Sequence, residues 1–205
     1  YGGDRVWIQD GAGAWSGLYL YLPDPAPAVG DRIEVTGPIE EYYNLTELNG
    51  GTVTVLSSGN ALPDASVVST FAANQEQWES VLVRVENVTV TDPDLGNGEW
   101  EVDDGSGPVV VDDMGEYTYV PALGDELDYV QGPLNYSYDA FKIEPRDDGD
   151  IGEAEACGDP FTPIYSVQGN AAGSPLIGDV VSVQGVVVGD FQNNSQLDNG
   201  DLYGF

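Results

Sequence analysis

Histidine is absent from this 205-residue chain, and it has one cysteine and one lysine. Without histidine the chain cannot build a Ser-His-Asp triad, a histidine general base or a histidine-ligated zinc site. The single thiol, Cys157, cannot form a disulfide within the chain, so it is either an inert thiol or half of an intermolecular bridge. No apolar run reaches the roughly 18 residues that a membrane-spanning helix needs. We therefore expect neither an enzyme nor a membrane span.

Basic residues are also scarce, with 5 Lys and Arg against 36 Asp and Glu, which gives a formal charge of -31. Such a surface repels phosphate backbones, so we do not expect nucleic acid as a partner. It favours solubility, cation binding and function in concentrated salt, where screening removes self-repulsion. The acidity and the sequons at Asn44, Asn87, Asn135 and Asn193 lead us to expect an extracellular or cell-surface protein.

Short strand patterns dominate the chain. The 27 glycines and 13 prolines are too many for long helices and suit short strands joined by tight turns. Stretches such as GLYLYL, DRIEVTGPI and VLVRVENVTV show period-two alternation or β-branched and aromatic runs. Helical signal is limited to a turn or two near 70–80 and a short irregular turn within 166–173. The pattern predicts an all-β fold with very little helix.

A repeat organises these strands. Residues 6–22 parallel 99–113, and residues 27–48 parallel 121–143. Each copy carries a strand, a DG-x-G turn, a strand, the sequence P-A-x-G-D, a strand, G-P and a further strand. The second copy also has a leading strand in 79–93. Five strands over about 70 residues in this order fit a small closed Greek-key barrel of the OB type.

The repeat predicts tandem OB-like five-stranded barrels with defined bounds. Residues 1–62 would form a barrel that lacks its first strand, and 63–152 a complete barrel. Residues 153–176 would be a linker. Residues 177–205, which contain IGDVVSVQGVVVGDFQ, would supply the first strand of a further barrel.

Several stretches resemble a known family. The stretch CGDPFTPIYSVQGNAAGSPLIGDVVSVQGVVVGDFQ, residues 157–192, resembles the OB-like module that precedes the catalytic domain in secreted bacterial nucleases of the endonuclease/exonuclease/phosphatase superfamily. The stretches WIQDGAGAWSGLYLY, VLVRVENVTVTDPDLGNGEWEVDDGSGPVVVDD and LNYSYDAFKIEPRD are similar to other OB-like modules of such proteins. The resemblance implies non-catalytic modules, because the catalytic histidines of that family have no counterpart here.

Acidic turns are candidate cation sites. Oxygen ligands in flexible glycine-rich turns suit Ca²⁺, although none of these turns matches the EF-hand loop. The alternative is that the carboxylates are solvated turn residues. The predicted structural Ca²⁺ ligands are Asp92, Asp94, Asp103, Asp104, Asp112 and Asp113.

The missing first strand suggests a function. A barrel without it exposes two strand edges and one side of its core, and such edges invite pairing. Residues 179–191 of one molecule would complete the 1–62 barrel of the next. This head-to-tail contact repeats from molecule to molecule and forms a filament unless it closes into a ring. The interface is predicted to include Val6, Trp7, Ile8, Leu18, Tyr19, Val181, Val183, Val186, Val188 and Phe191.

Other interpretations remain open. The chain could be a window of a longer tandem array, or its own end could close its own start. The alternative function is an accessory module of a secreted nuclease that binds single-stranded nucleic acid or carbohydrate. In that case the aromatic side chains of the strands would stack on the ligand instead of packing in the core.

Overall fold

β-Strands make up most of the structure. The computed structural model describes residues 3–23, 26–153, 164–168, 173–181 and 183. The two α-helices among them are short, which confirms the predicted all-β class. The chain folds as two compact units, Tyr1–Ala154 and Glu155–Phe205. The described part of the second unit holds helix α2, Ile164–Gln168.

None of the helices in the described residues has the length and apolar character to cross a membrane.

Within the first unit, residues 63–153 form a closed ring of strands. A long strand, β8, pairs antiparallel with β9 on one side and with β11 on the other. The circuit β8–β9–β10–β12–β11 therefore returns to its start, and its β10–β12 step is parallel. Short strands β7 and β13 add to β8 and β11. The strands are β7 (Ser66–Val67), β8 (Leu82–Gly96), β9 (Glu99–Asp103), β10 (Val109–Val111), β11 (Glu126–Ser137), β12 (Ala140–Ile143) and β13 (Ile151–Glu153).

The interior of the closed ring is fully apolar along β8. Side chains alternate between the two faces of a strand, and in β8 this alternation shifts by one position between Val85 and Val88. Val83, Val85, Val88 and Val90 are each buried to 1% exposure or less. They pack with Trp100, Val102, Val109, Val111, Leu127, Val130, Leu134, Ile143 and Ile151.

A short helical segment precedes β8, as the sequence predicted. Helix α1 spans Thr70–Ala73, and the Ser69 side chain caps it by accepting a hydrogen bond from the Ala72 N–H at 3.1 Å. A 3₁₀ turn follows at Glu76–Trp78.

The strands of residues 3–57 form a second arrangement, which we call the first module. They build a four-stranded sheet in the order β1-β2-β5-β4 and a separate β3-β6 pair. The β2–β5 step is parallel, like the β10–β12 step of the ring. The strands are β1 (Gly3–Gln9), β2 (Gly17–Pro23), β3 (Arg32–Thr36), β4 (Ile39–Tyr42), β5 (Leu45–Asn49) and β6 (Thr52–Ser57).

The pairing registers of the first module match those of the closed ring, except that β11 holds one extra residue, Asp128, which β3 lacks. Three equivalences illustrate it. Ile8 opposite Leu18 corresponds to Val102 opposite Val109. The parallel pair Leu20 and Leu48 corresponds to Val111 and Ile143. Val35 opposite Val53 corresponds to Val130 opposite Ile151. The repeat seen in the sequence is therefore a repeat of strand pairing, in which β1 to β6 correspond to β9 to β13, with β3 and β4 together matching β11. Among the described residues of the first module, β8 has no counterpart.

The first module packs against the ring through its β1–β2 turn. The Trp15 N–H donates to the Gln77 carbonyl at 2.7 Å, and the Leu82 N–H donates to Gln9 Oε1 at 2.7 Å. A Cβ placed on Gly17 would lie 2.2 Å from the Ser80 carbonyl oxygen. The backbones of Gly17 and Ser80 are therefore so close that any residue larger than glycine at position 17 would collide with Ser80.

We expect Gly17→Ala to lower the free energy of unfolding by about 1 to 3 kcal/mol, because the added methyl group must push the hairpin away from the ring. Gly11→Ala is the matched control in the same turn, since a Cβ there meets nothing within 4 Å. Urea denaturation of both variants measures the difference. Equal stability of the two would show that the close approach at Ser80 is absent in solution.

Candidate functional site

The first module has two strand edges that no described strand covers. In the closed ring, β8 lies between β9 and β11 and pairs with both. Their counterparts in the first module are β1 and β3. Among the described residues, β1 pairs only with β2, and β3 pairs only with β6. We call the place between these two free edges the open slot. Its backbone N–H and C=O groups are a template for one further strand.

The apolar residues around the open slot are incompletely buried. In the closed ring the five equivalent positions are at most 6% exposed, because β8 covers them. The buried core cluster of the first module contains only Leu20, Leu22 and Leu48 among the described residues. The half-buried residues beside the slot are Val6, Ile8, Ile33, Val35 and Val53, which correspond to Trp100, Val102, Leu127, Val130 and Ile151.

The predicted interface residues of the first module divide between two faces. Val6, Ile8 and Leu18 point toward the small core and line the slot side. Trp7 and Tyr19 point the other way and stack edge to face with ring centroids 5.2 Å apart. Arg5 and Gln9 flank Trp7 on the same face of β1 and contact the ring. Arg5 donates to Met114 Sδ at 3.5 Å, and Gln9 accepts from the Leu82 N–H.

Sequence reasoning missed part of the slot. Ile33 and Val35 of β3 and Val53 of β6 belong to it, yet the predicted interface named no residue after Tyr19 in the first module. The alternation in RIEVT was visible and predicted the strand. The comparison of the β3–β6 pairing with the β11–β13 pairing shows that the apolar face of β3 lies beside the open slot.

The predicted partner strand falls largely outside the described residues. Val181 and Val183 are described, belong to no strand and are 36% and 53% exposed. Val186, Val188 and Phe191 lie outside the described residues. Their role in the interface stays a prediction.

The predicted calcium ligands mostly bond to nearby backbone or side-chain groups. Asp103 Oδ1 accepts the N–H groups of Gly105 and Gly107 at 2.7 and 3.0 Å. Burial opposes ionisation of Asp104, but hydrogen bonds from Ser106 and Thr70 outweigh it and lower its pKa to about 2.

The other four predicted ligands are dispersed. Asp92 and Asp94 each accept the N–H two residues later, while Asp112 forms an ion pair with Lys142. Asp94 and Asp113 line one surface cleft. In the described ranges, no group of three or more acidic or cysteine side chains is arranged to hold a metal ion. Calcium binding stays an untested prediction.

A buried carboxyl links the first module to the ring. Glu79 Oε1 accepts the Thr46 N–H at the start of β5 at 3.0 Å, whereas Glu79 Oε2 is buried without a hydrogen bond among the described residues. Burial, with a smaller contribution from the neighbouring Glu76 and Glu41 charges, raises the pKa of Glu79 to about 7. Burial likewise raises the pKa of Glu47 and brings that of Tyr19 to about 12. The folded state therefore favours the protonated form of Glu79, because the cost of burying its charge outweighs the Thr46 hydrogen bond, which favours the ionised form.

Searches for relatives found no matching family model and no matching curated protein. The resemblance to nuclease-associated modules rests on the quoted stretches alone.

We expect the unfolding free energy to fall as pH rises from about 5 to 8. An acid whose pKa is raised in the folded state favours folding below its unfolded pKa near 4.5, and this contribution is lost as pH rises through about 7. A shift of this size corresponds to at most about 3 kcal/mol. Glu144, also buried, has its pKa raised to about 7 and contributes in the same sense.

Glu79→Gln should therefore weaken the dependence of the unfolding free energy on pH. The double variant Glu79→Gln with Glu144→Gln should weaken it further. Glu116→Gln is the matched control, because it removes one exposed charge that is not among those raising the pKa of Glu79 or Glu144. Urea titrations between pH 5 and 8 in about 1 M salt, which screens surface repulsion, give the comparison. An unchanged slope in the double variant would contradict this account.

Proposed function

We propose that this protein is a non-catalytic, extracellular or cell-surface structural protein that self-assembles by donating a β-strand to the open slot of a second copy. The observation that carries the proposal is the open slot itself. Two free strand edges flank half-buried apolar side chains whose counterparts in the same chain are covered by β8. Strand addition at such an edge gains backbone hydrogen bonds and apolar burial together.

The donor we assign is residues 179–191 of another molecule. The donor and the slot are different surfaces of one chain, so each molecule can give one strand and receive one. Such a heterologous contact propagates head to tail and yields filaments unless a ring closes. We further propose that both the closed ring and the completed first module are barrels of the OB type, which the circuit β8–β9–β10–β12–β11 supports.

The charge supports a structural role over nucleic-acid binding. A chain of formal charge -31 with 5 basic residues offers no electrostatic footprint for phosphates. The same negative charge makes two copies of the chain repel each other. Concentrated salt shortens the range of this repulsion to a few ångströms and so favours assembly. The absence of histidine from the whole sequence supports a non-catalytic role.

We expect the full 205-residue chain to form concentration-dependent oligomers or filaments in about 1 M salt, detected by analytical ultracentrifugation and negative-stain electron microscopy. Val183→Asp places a charge where the donor strand would enter the core and should leave small particles. Val120→Asp is the matched control, because Val120 lies in the ring unit and is 81% exposed.

Two outcomes would contradict the proposal. One is a wild-type chain that stays a monomer over the whole concentration range. The other is assembly that Val183→Asp and Val120→Asp affect equally, since the donor segment would then have no special part in it.

A further inference from the structure

A tight turn leads the chain into β8, and we call its residues 78–81 the entry turn. The Val81 N–H donates to the Trp78 carbonyl at 3.0 Å, and Ser80 adopts a left-handed φ of +62°. The entry turn also bonds to β11. The Ser80 N–H donates to the Leu134 carbonyl at 2.7 Å, and the Leu134 N–H donates to the Val81 carbonyl at 2.9 Å. Leu134 is fully buried at this end of the ring.

The second unit contains a turn of the same form at residues 176–179, which we call the donor turn. The Asp179 N–H donates to the Leu176 carbonyl at 3.0 Å, and Gly178 adopts a left-handed φ of +96°. A short helix precedes each turn, α1 in the ring and α2 in the second unit. Valines follow the left-handed residue by three and five positions in both, Val83 and Val85 in the ring and Val181 and Val183 in the second unit. Gly178 is therefore the counterpart of Ser80.

In the first module, Ile39 of β4 is the counterpart of Leu134. Each directly follows a Gly-Pro pair, and Ile39 lies opposite Leu48 as Leu134 lies opposite Ile143. The extra residue of β11, Asp128, precedes this stretch and does not shift it. Leu134 is fully buried, whereas Ile39 is 58% exposed. The position that the entry turn covers in the ring therefore lies at the surface of the first module.

The backbone groups of Ile39 point along the outer edge of β4. The Asn49 N–H donates to the Pro38 carbonyl at 3.1 Å, so the adjacent pair, Ile39 and Leu48, is a non-hydrogen-bonded pair. The N–H and C=O of Ile39 therefore point away from β5. Among the described residues, β4 pairs with no strand except β5. Ile39 can thus make the two hydrogen bonds that Leu134 makes to the entry turn.

We propose that the open slot extends to Ile39 and that the donor turn of another molecule covers it, which sets the register of the donated strand. This inference rests on the proposed strand donation and names the contact at which the donor enters. The Gly178 N–H donates to the Ile39 carbonyl, and the Asp179 carbonyl accepts from the Ile39 N–H. This register places Val183 opposite Val35, as in the β8–β11 pairing. Alternating valines alone would allow a slip of two residues, which keeps the same face inward.

One residue of the donor turn differs in character from its counterpart. Asp179 stands where the ring has Val81, which is fully buried in the core. Burial penalises the charge of a carboxylate in that place, so Asp179→Val should strengthen association by about tenfold.

On the acceptor side, Ile39→Asp should weaken association by about tenfold or more, because it places a charge under the donor turn. Leu123→Asp is the matched control, since Leu123 lies in the ring unit and is 73% exposed. Sedimentation of the full chains in about 1 M salt measures all three variants.

A disulfide tests the register directly. In a Cys157→Ser background, chains with Ile39→Cys are mixed with chains with Asp179→Cys and treated with oxidised glutathione. The proposed register places the two positions opposite each other, within the Cα separation of about 4.4 to 6.8 Å that a disulfide needs. We expect covalent dimers of one chain of each kind, identified by mass spectrometry. Val180→Cys in place of Asp179→Cys is the matched control, because adjacent side chains of a strand point to opposite faces.

The outcomes separate this inference from the proposed function. A wild-type chain that does not associate would overturn the strand donation itself. If the wild-type chain associates, equal effects of Ile39→Asp and Leu123→Asp would overturn only the contact at Ile39. Equal crosslinking of Ile39→Cys to positions 179 and 180 would overturn the register, as would an Asp179→Val variant that associates more weakly than the wild type.

Discussion

The structure depends on one constraint, which is that a small β-barrel needs every strand edge and every side of its core to be covered. The closed ring satisfies it through β8, which supplies four fully buried valines and pairs with two strands at once. The first module repeats the remaining pairings with one residue fewer in β3, but none of the described strands lies in the place of β8. Its core is correspondingly small and its slot-side residues are half-buried.

The contact between module and ring orients the open slot. It runs through the β1–β2 turn, the close approach of Gly17 to Ser80, and the Glu79–Thr46 hydrogen bond. The face of the first sheet that carries Trp7 and Tyr19 is directed toward this contact, so the other face holds the unfinished core. A ring that is already complete therefore holds the incomplete module in place, and the carboxyl of Glu79 makes that contact sensitive to pH.

Much of the fold could be predicted from the sequence, because alternation and turn residues are local signals. The strands of GLYLYL and RIEVT, the helical turn near Thr70 and the internal repeat all appear in the structure. The parts that could not be predicted depend on contacts between distant residues. Trp7 and Ile8 are adjacent in sequence and the sequence pattern places both in one interface, yet they face opposite sides of the sheet. The burial of Glu79 depends on Thr46, which lies in a different module.

The central claim is that the strand comes from another molecule, and a mixing experiment tests it most directly. One variant, Ile33→Asp, blocks the slot and keeps the donor; the other, Val183→Asp, blocks the donor and keeps the slot. Circular dichroism first establishes that both variants are folded. The account predicts that each variant alone is monomeric, and that an equimolar mixture yields a one-to-one dimer by sedimentation and no longer species. A mixture that stays monomeric while the wild-type chain assembles would contradict strand donation between molecules.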